Sequence, residues 1–459
     1  MMPVELNKIY EIEIVELGVG RIEDFTIFVE NALPTEKVLA KIEIIKKKYA
    51  VGKLIKIIRE SLDRVEPFCP IYFECGGCQL QHLKYSAQLE IKKKIIRDAI
   101  ERIGKLRDIE IFDTLGMENP MNYRNKMQFP VGKNKSEIII GCYAKNTHKI
   151  IDTDSCMIQR EGNNKILRVV KNILNRLKIS ADDEDKHRGV IRHVMGRVGF
   201  NDELMIVLVT ATDKLPEAKK IIKAIRAELP EVTTIQQNIQ TYKNNVILGR
   251  DTKILFGKET IKDKIGNLEF NISARSFFQV NTEQAEILYK TAKDFAELTG
   301  REIVIDAYCG TGTISLFMAK SAYKVYGIEI VSSAIHDAIK NARENKIRNA
   351  EFIIGDAVNV IPQLFKSGVY ADVVILDPPR AGCYKKVLET IAAMNPAKII
   401  YVSCNPATLA RDLKILDELG YHTKKIQPVD MFPFSTHIES VAQIFNSRNL
   451  NHTQKFCSK

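Results

Sequence analysis

The stretch KIIYVSCNPATLARDL, from Lys398 to Leu413, puts a thiol where an apolar strand gives way to a helical pattern. Ile399, Ile400, Tyr401 and Val402 read as a buried strand, and Asn405 and Pro406 open the helix. A cysteine at such a junction is commonly a small buried hydrophobe. Cys404 can equally be a nucleophile. Near the chain end, in MFPFSTHIESVA, Glu439 follows His437 just before a last apolar strand. A thiolate adds to an electron-poor carbon, and a carboxylate then removes a proton, so this pair has the parts of covalent catalysis. A second set, Cys69, Cys75 and Cys78 in CPIYFECGGCQLQHL, has Gly76 and Gly77 to make its turn tight. A fourth thiolate must come from elsewhere: Cys156 in IDTDSCMIQ is the candidate, and Cys142 the alternative. Four thiolates suit zinc or an iron–sulfur cluster, and spacing does not decide between them.

The elements that must position Cys404 lie around it. From about residue 275, the strand-like runs EIVIDAYC, KVYGIEI, AEFIIGDA, ADVVILDPP and AKIIYVSC alternate with helical patterns. That alternation predicts a doubly wound parallel sheet, an α/β fold, whose ligands bind beyond the carboxyl ends of the strands. The first strand ends in IDAYCGTG, where Gly310 and Gly312 let backbone approach a ligand. The second ends at Glu329, placed to accept from ribose hydroxyls, and the third at Asp356, placed to receive an adenine amino group. The loop lacks the Lys-Ser/Thr of a triphosphate site, and Ser315 stands where a dinucleotide fingerprint has its third glycine. Acids after each strand without a pyrophosphate cradle fit S-adenosylmethionine better than NAD. The competing assignments are structural: Asp306 or Asp356 as helix caps, Glu329 as a solvated charge. The fourth strand ends in DPPR, whose prolines present Asp377 rigidly. Arg380 stands where amine methyltransferases often carry an aromatic residue, which argues against an exocyclic amine as acceptor.

A thiol, a carboxylate and a methyl donor at one edge suggest a particular reaction. Carbon 5 of uracil is a poor nucleophile until a thiolate adds to carbon 6. Carbon 5 can then attack a methyl sulfonium, and a base must remove its proton so that the thiol can leave. Cys404 is the expected nucleophile and Glu439 the expected base.

The rest of the 459-residue chain is organised ahead of this half. Its length suits two or three domains. Residues 1–60 alternate apolar and polar positions and predict a small β-barrel with a basic last third, Lys46, Lys47, Lys48, Lys53, Lys56 and Arg59. Residues 61–270 read as a central α+β domain with the cysteine set, and 271–446 as the methyl-transfer domain. The polar residues 447–459 form a tail. SAQLEIKKKIIRDAIERI predicts a helix over 86–103, with Leu89, Ile95, Ile96, Ala99 and Ile103 on one face. MQFPV, EIIIGCYA and ELMIVLVTAT predict strands, and LPEAKKIIKAIRAEL a helix with Pro216 in its first turn. The net charge of +11 suggests a polyanionic partner. No signal peptide or membrane span is legible, so a cytoplasmic location is expected, where disulfides are rare and nine cysteines need another purpose.

Over essentially its full length the chain resembles the RNA uracil-5-methyltransferases, especially the 23S rRNA branch. The motifs that carry the resemblance are FFQVN (277–281), DAYCGTG, DPPR, YVSCNP and THIE. It implies Cys404 as nucleophile and Glu439 as base. It implies S-adenosylmethionine at Gln279, Tyr308, Thr313, Glu329, Asp356 and Asp377, and a 4Fe-4S cluster on Cys69, Cys75, Cys78 and Cys156. Cys309 and Cys383 are expected to be structural, and His437 to orient or pack. The first sixty residues resemble a TRAM domain, an RNA-binding barrel that would use its lysines and Tyr49. Arg124 and Lys126 in NYRNKMQF add a second candidate RNA surface. The expected partner is RNA, 23S rRNA first and tRNA as the alternative, with no membrane and a monomeric chain. An iron–sulfur RNA-binding protein without catalysis is the reading from a different class.

Overall fold

Alternating side chains close the N-terminal strands on themselves. A computed structural model describes residues 3–135, 137–183, 188–242 and 246–447. In it the strands Ile9–Glu16, Val19–Ile22, Phe25–Val29, Tyr49–Arg59 and Lys37–Ile45 follow one another around a closed barrel. Ile12, Ile14, Ile27, Val29, Val38, Ala40 and Ile42 fill its interior, while Glu11 and Glu13 face outward. Closure leaves no unpaired edge. Glu36, wholly buried, accepts from Arg64 Nε at 2.6 Å and Nη2 at 2.9 Å, which fastens the chain leaving the barrel. The chain as far as Ile91, together with Phe434–Thr436, forms one compact unit, and Lys92–Pro433 with the chain from His437 forms another.

Within the second unit, strands Asp251–Gly257, Val232–Ile239, Leu204–Thr210, Ile191–Val198, Lys126–Asn134, Glu137–Tyr143 and Ile150–Asp152 form one sheet in that order. Helix Ala218–Glu228 begins after Glu217, which takes a left-handed conformation at the cap. Pro216 therefore precedes the helix and does not sit in its first turn.

The second sheet orders Ala350–Ile354, Lys324–Glu329, Ile303–Asp306, Val373–Leu376, Lys398–Ser403, Glu439–Asn446, Tyr421–Val429 and Glu110–Ile111. The first five are parallel, as the alternation of strand and helix requires. Val304, Ile305, Val374, Ile375, Ile399 and Ile400 are fully buried, the mark of strands covered on both faces. Strand order reverses between Ile303–Asp306 and Val373–Leu376, which opens a crevice at their carboxyl ends. Glu439–Asn446 is antiparallel to both neighbours. The short strand Glu110–Ile111 extends the sheet beside Tyr421–Val429, a pairing with no sequence signal.

The helix expected over 86–103 is Tyr85–Ala99, and it widens into a π-turn at Ile100–Gly104. Lys105, left-handed, closes the turn by donating its N–H to the Ile100 carbonyl. The wider turn rotates Ile103 out of the apolar face, and it is exposed, while Ile96 and Ile100 stay buried. Among the described residues no helix is long and apolar enough to cross a membrane. Residues 448–459 of the expected tail lie outside the described residues.

Candidate active site

The placement of Cys404 follows from strand register. Ser403 pairs with Ser440 and Val402 with Val441, antiparallel. Cys404 follows Ser403 and Glu439 precedes Ser440, so the two lie at the same end of the strand pair, and the charge of Glu439 acts on the thiol. Beyond Cys404, Asn405 caps helix Pro406–Glu418, its side chain accepting from Ala407 N at 3.1 Å, with Pro406 as the first helical residue. The Asn405 N–H in turn donates to Ser403 Oγ at 3.1 Å. The thiol is thus held on both sides by backbone with little freedom. Cys404 is half-buried and Glu439 buried.

Burial holds the Glu439 carboxyl well above the usual carboxylate range, Asp377 adds to the shift, and Arg380 opposes it. Burial also pushes the Cys404 thiol up to about 11, helped by Glu439 and Asp377 and again opposed by Arg380. Asp377 itself rises to about 7 through burial and the nearby Asp306. Burial and the neighbouring acids thus favour the neutral form of both groups, and Arg380 favours the charged form of both. Burial, then Arg380 and Lys92, keep His437 below the usual histidine range, and its ring meets Phe432 edge-on at 6.1 Å. It packs as an uncharged ring.

The other candidate positions line the ends of the neighbouring strands. Gly310 has φ +52, and a Cβ there would meet nothing within 4 Å, so the loop is open beside its backbone. Its N–H donates to Glu329 Oε2 at 3.2 Å, and Glu329 Oε1 accepts from Val331 N at 2.9 Å. Asp356 caps helix Ala357–Lys366, accepting from Val358 N at 2.9 Å, so the structural assignment holds for that residue at least. Asp306 is an internal brace: Ser315 Oγ donates to its Oδ2 at 2.6 Å and Tyr308 N to its Oδ1 at 3.4 Å. Tyr308 is half-buried, and its hydroxyl reaches Cys383. Thr313 starts helix Thr313–Ala319 and meets the Tyr289 hydroxyl at 3.2 Å. Gln279 bonds the same hydroxyl, which also feels the charges of Asp377 and Glu439. Tyr289 thus bonds two candidate positions, Thr313 and Gln279, and feels the charge of two more. Sequence reasoning misses it because a tyrosine inside an apolar helical face reads as core. The open cradle at Gly310, with acids at successive strand ends, fits the adenosine and amino-acid parts of S-adenosylmethionine.

The cysteine set is less assembled. Cys75 N donates to the Ile71 carbonyl at 2.8 Å, and Gly77 N donates to Cys75 Sγ at 3.3 Å. Burial raises the Cys69 thiol, and Cys75 adds to the effect. Cys156 precedes helix Glu161–Arg176 in the other unit, its N–H donating to Asn164 Oδ1 at 2.9 Å. Among the described residues no group of three or more His, Cys, Asp or Glu side chains is arranged to hold a metal ion. The thiol donors, one with an N–H aimed at its sulfur, still suit a thiolate-held centre chemically.

On the barrel, Lys46, Lys47, Lys48, Lys53 and Lys56 are exposed. Tyr49 stands edge-on to Phe28 at 5.3 Å, and both rings reach the surface. Lys126 differs from expectation: it is half-buried, and burial with Arg197 and Arg124 lowers it to about 7.

A family model described as tRNA (uracil-5-)-methyltransferase matches residues 84–446, and the chain belongs to this family. A relative in Halalkalibacterium halodurans, named as an RNA methyltransferase, is 50% identical over 446 residues, 96% of this chain and 97% of its own. One in Clostridium tetani with the same description is 49% identical over 446 residues, again 96% and 97%. Among solved structures, the chain is similar to the Pyrococcus abyssi tRNA (uracil-54, C5)-methyltransferase in complex with S-adenosyl-L-homocysteine. The TM-score is 0.76 at 28% identity, covering 95% of this chain and 100% of that one. The protein is accordingly an RNA (uracil-5-)-methyltransferase.

The raised acid at the crevice has a consequence for stability. Asp377 ionises at about 7 when folded, against an ordinary aspartate value of 3.8. A folded-state pKa above the unfolded one means stability present at low pH and lost as pH rises through the folded value. Thermal melts of the ligand-free protein should therefore fall between about pH 4 and about pH 7, and Asp377→Asn should flatten that decline.

Proposed function

We propose that the chain transfers a methyl group from S-adenosylmethionine to carbon 5 of a uridine in 23S rRNA through a covalent adduct on Cys404. The register that brings Cys404 and Glu439 to one end of the paired strands, where Asp377 acts on both, together with the open Gly310 loop, carries this reading. S-adenosylmethionine, when bound, supplies a methyl on positively charged sulfur; Gln279, Tyr308, Thr313, Glu329, Asp356 and Asp377 would hold it. The Cys404 thiol first gives up its proton to solvent; the thiolate then adds to uracil carbon 6, and the double-bond electrons move to the carbonyl oxygen as an enolate. Carbon 5 takes the methyl as the thioether leaves. The Glu439 carboxylate then removes the carbon-5 proton, the double bond re-forms and the Cys404 thiolate departs. Burial makes Glu439 a stronger base once ionised, and Arg380 opposes the acids that hold Cys404 protonated. The target base must leave its stack to reach Cys404, which favours loop or single-stranded RNA.

The barrel with its lysines and the Phe28–Tyr49 pair supports RNA docking, and its resemblance to the rRNA branch favours 23S rRNA. The likeness to a solved tRNA methyltransferase favours tRNA as the second reading. Cys69, Cys75, Cys78 and Cys156 would hold a 4Fe-4S cluster with a structural role, and no step of methyl transfer passes through it. The chain is expected to act in the cytoplasm as a monomer.

Cys404→Ala should abolish both turnover and covalent trapping on 5-fluorouracil RNA; a normal rate would refute the nucleophile. Glu439→Gln should transfer about one methyl per enzyme and then stall as an adduct stable to denaturation, because the proton stays on carbon 5. Mapping 5-methyluridine in a strain lacking the gene should reveal a missing site in 23S rRNA; loss from tRNA alone would select the second reading. The purified protein should show a broad absorbance at the blue end of the visible spectrum that iron chelation removes, and a colourless zinc-loaded protein would rule the cluster out.

A further inference from the structure

Arg380 opposes the acids around Cys404, yet its side chain is exposed. Its backbone is held by the helix that follows Cys404. Asn405 Nδ2 donates to the Arg380 carbonyl at 3.0 Å, and Thr408 Oγ1 donates to the same oxygen at 3.4 Å. One turn further along, Arg411 Nη2 donates to the carbonyls of Ala381 at 3.0 Å and Cys383 at 3.2 Å. Its Nε donates to Asp412 Oδ1 at 2.8 Å. Asp412 is wholly buried, and its Oδ2 accepts from Cys383 N at 2.8 Å and the Tyr401 hydroxyl at 2.6 Å. Gly382 lies at φ +76, where a Cβ would meet Arg411 Nη2 at 2.5 Å and Asp412 Oδ2 at 2.6 Å. No other residue fits between them.

A buried carboxylate this well satisfied can serve folding alone. The targets of this clamp point further. It grips the 380–383 backbone and, through Tyr401, the strand that ends at Cys404. The charge on that loop acts on Cys404, Glu439 and His437 together. We propose that Arg411 and Asp412 are positioning residues that lock the Arg380 loop to the helix behind Cys404, and so hold the guanidinium beside the Cys404–Glu439 pair. This role deepens the reading of Cys404 given above and rests on it.

The test uses the full-length protein and iodoacetamide, with alkylation of the Cys404 peptide followed by mass spectrometry from neutral to alkaline pH. The groups facing the thiol are Glu439, Asp377 and Arg380, and of these only the last favours the thiolate. Arg380→Met, Arg411→Met and Asp412→Asn should each move the alkylation midpoint to higher pH. At a fixed pH below the midpoint, alkylation should slow roughly tenfold for every pH unit the midpoint climbs. Arg411→Lys should recover part of the loss. Arg380→Met combined with Arg411→Met should be no slower than Arg380→Met alone, because the clamp acts through that guanidinium. An unchanged midpoint in Arg411→Met and Asp412→Asn, with melting lowered, would reduce the pair to a structural role and overturn the proposal. Additive slowing in the double variant would overturn it too. Failure of the Cys404 assignment would look different: Cys404→Ala would turn over normally while alkylation still depended on the clamp.

Discussion

The antiparallel direction of strand Glu439–Asn446 is the constraint on which the rest of the site depends. It has eight residues. Laid parallel to Lys398–Ser403, it would carry Glu439 to the far end of the sheet, about 25 Å away at the rise of an extended chain. The hairpin connection from Tyr421–Val429 forces the reversal, because a parallel return needs a long crossover. Asp430, at the start of that connection, is wholly buried, and Lys92 Nζ donates to it at 2.5 Å and to the Phe432 carbonyl at 3.0 Å. One partner removed would leave an uncompensated buried charge, so the pair fixes where the hairpin begins. Topology alone thereby delivers a carboxyl to the thiol.

The same packing opposes the chemistry it arranges. Asp306, Asp377 and Glu439 crowd the end of the sheet, and burial pushes each toward its neutral form there. Cys404 shares that field. Exposed Arg380 opposes the shifts of Glu439 and Cys404, and its loop is gripped closely by the neighbouring helix. A cation brought to this edge lowers both the thiol and Glu439 together, so reactivity is coupled to filling the crevice.

Much of this is legible from residue types. Strand-end acids, paired glycines and a thiol before Asn-Pro each have a local signature, and the parallel order follows from alternation. Direction in the last strand does not: its apolar run reads the same either way, and only pairing decides it. Periodicity misplaces Ile103 because it assumes one helical pitch, and a π-turn closed by Lys105 changes that pitch. Tyr289 and Asp412 escape sequence reasoning for a shared reason. Their roles come from atoms they meet across long stretches of chain, and the helical faces that carry them look like ordinary packing.

The high affinity of Cys404 for its proton has a further meaning. Peroxide and other electrophiles attack the thiolate, and oxidation of an exposed, low-pKa cysteine can run on to forms that no thiol restores. Burial and the nearby acids push the Cys404 sulfur up to about 11, which disfavours the thiolate that such reagents attack. The acids that keep Cys404 a thiol thus also shield it from oxidation.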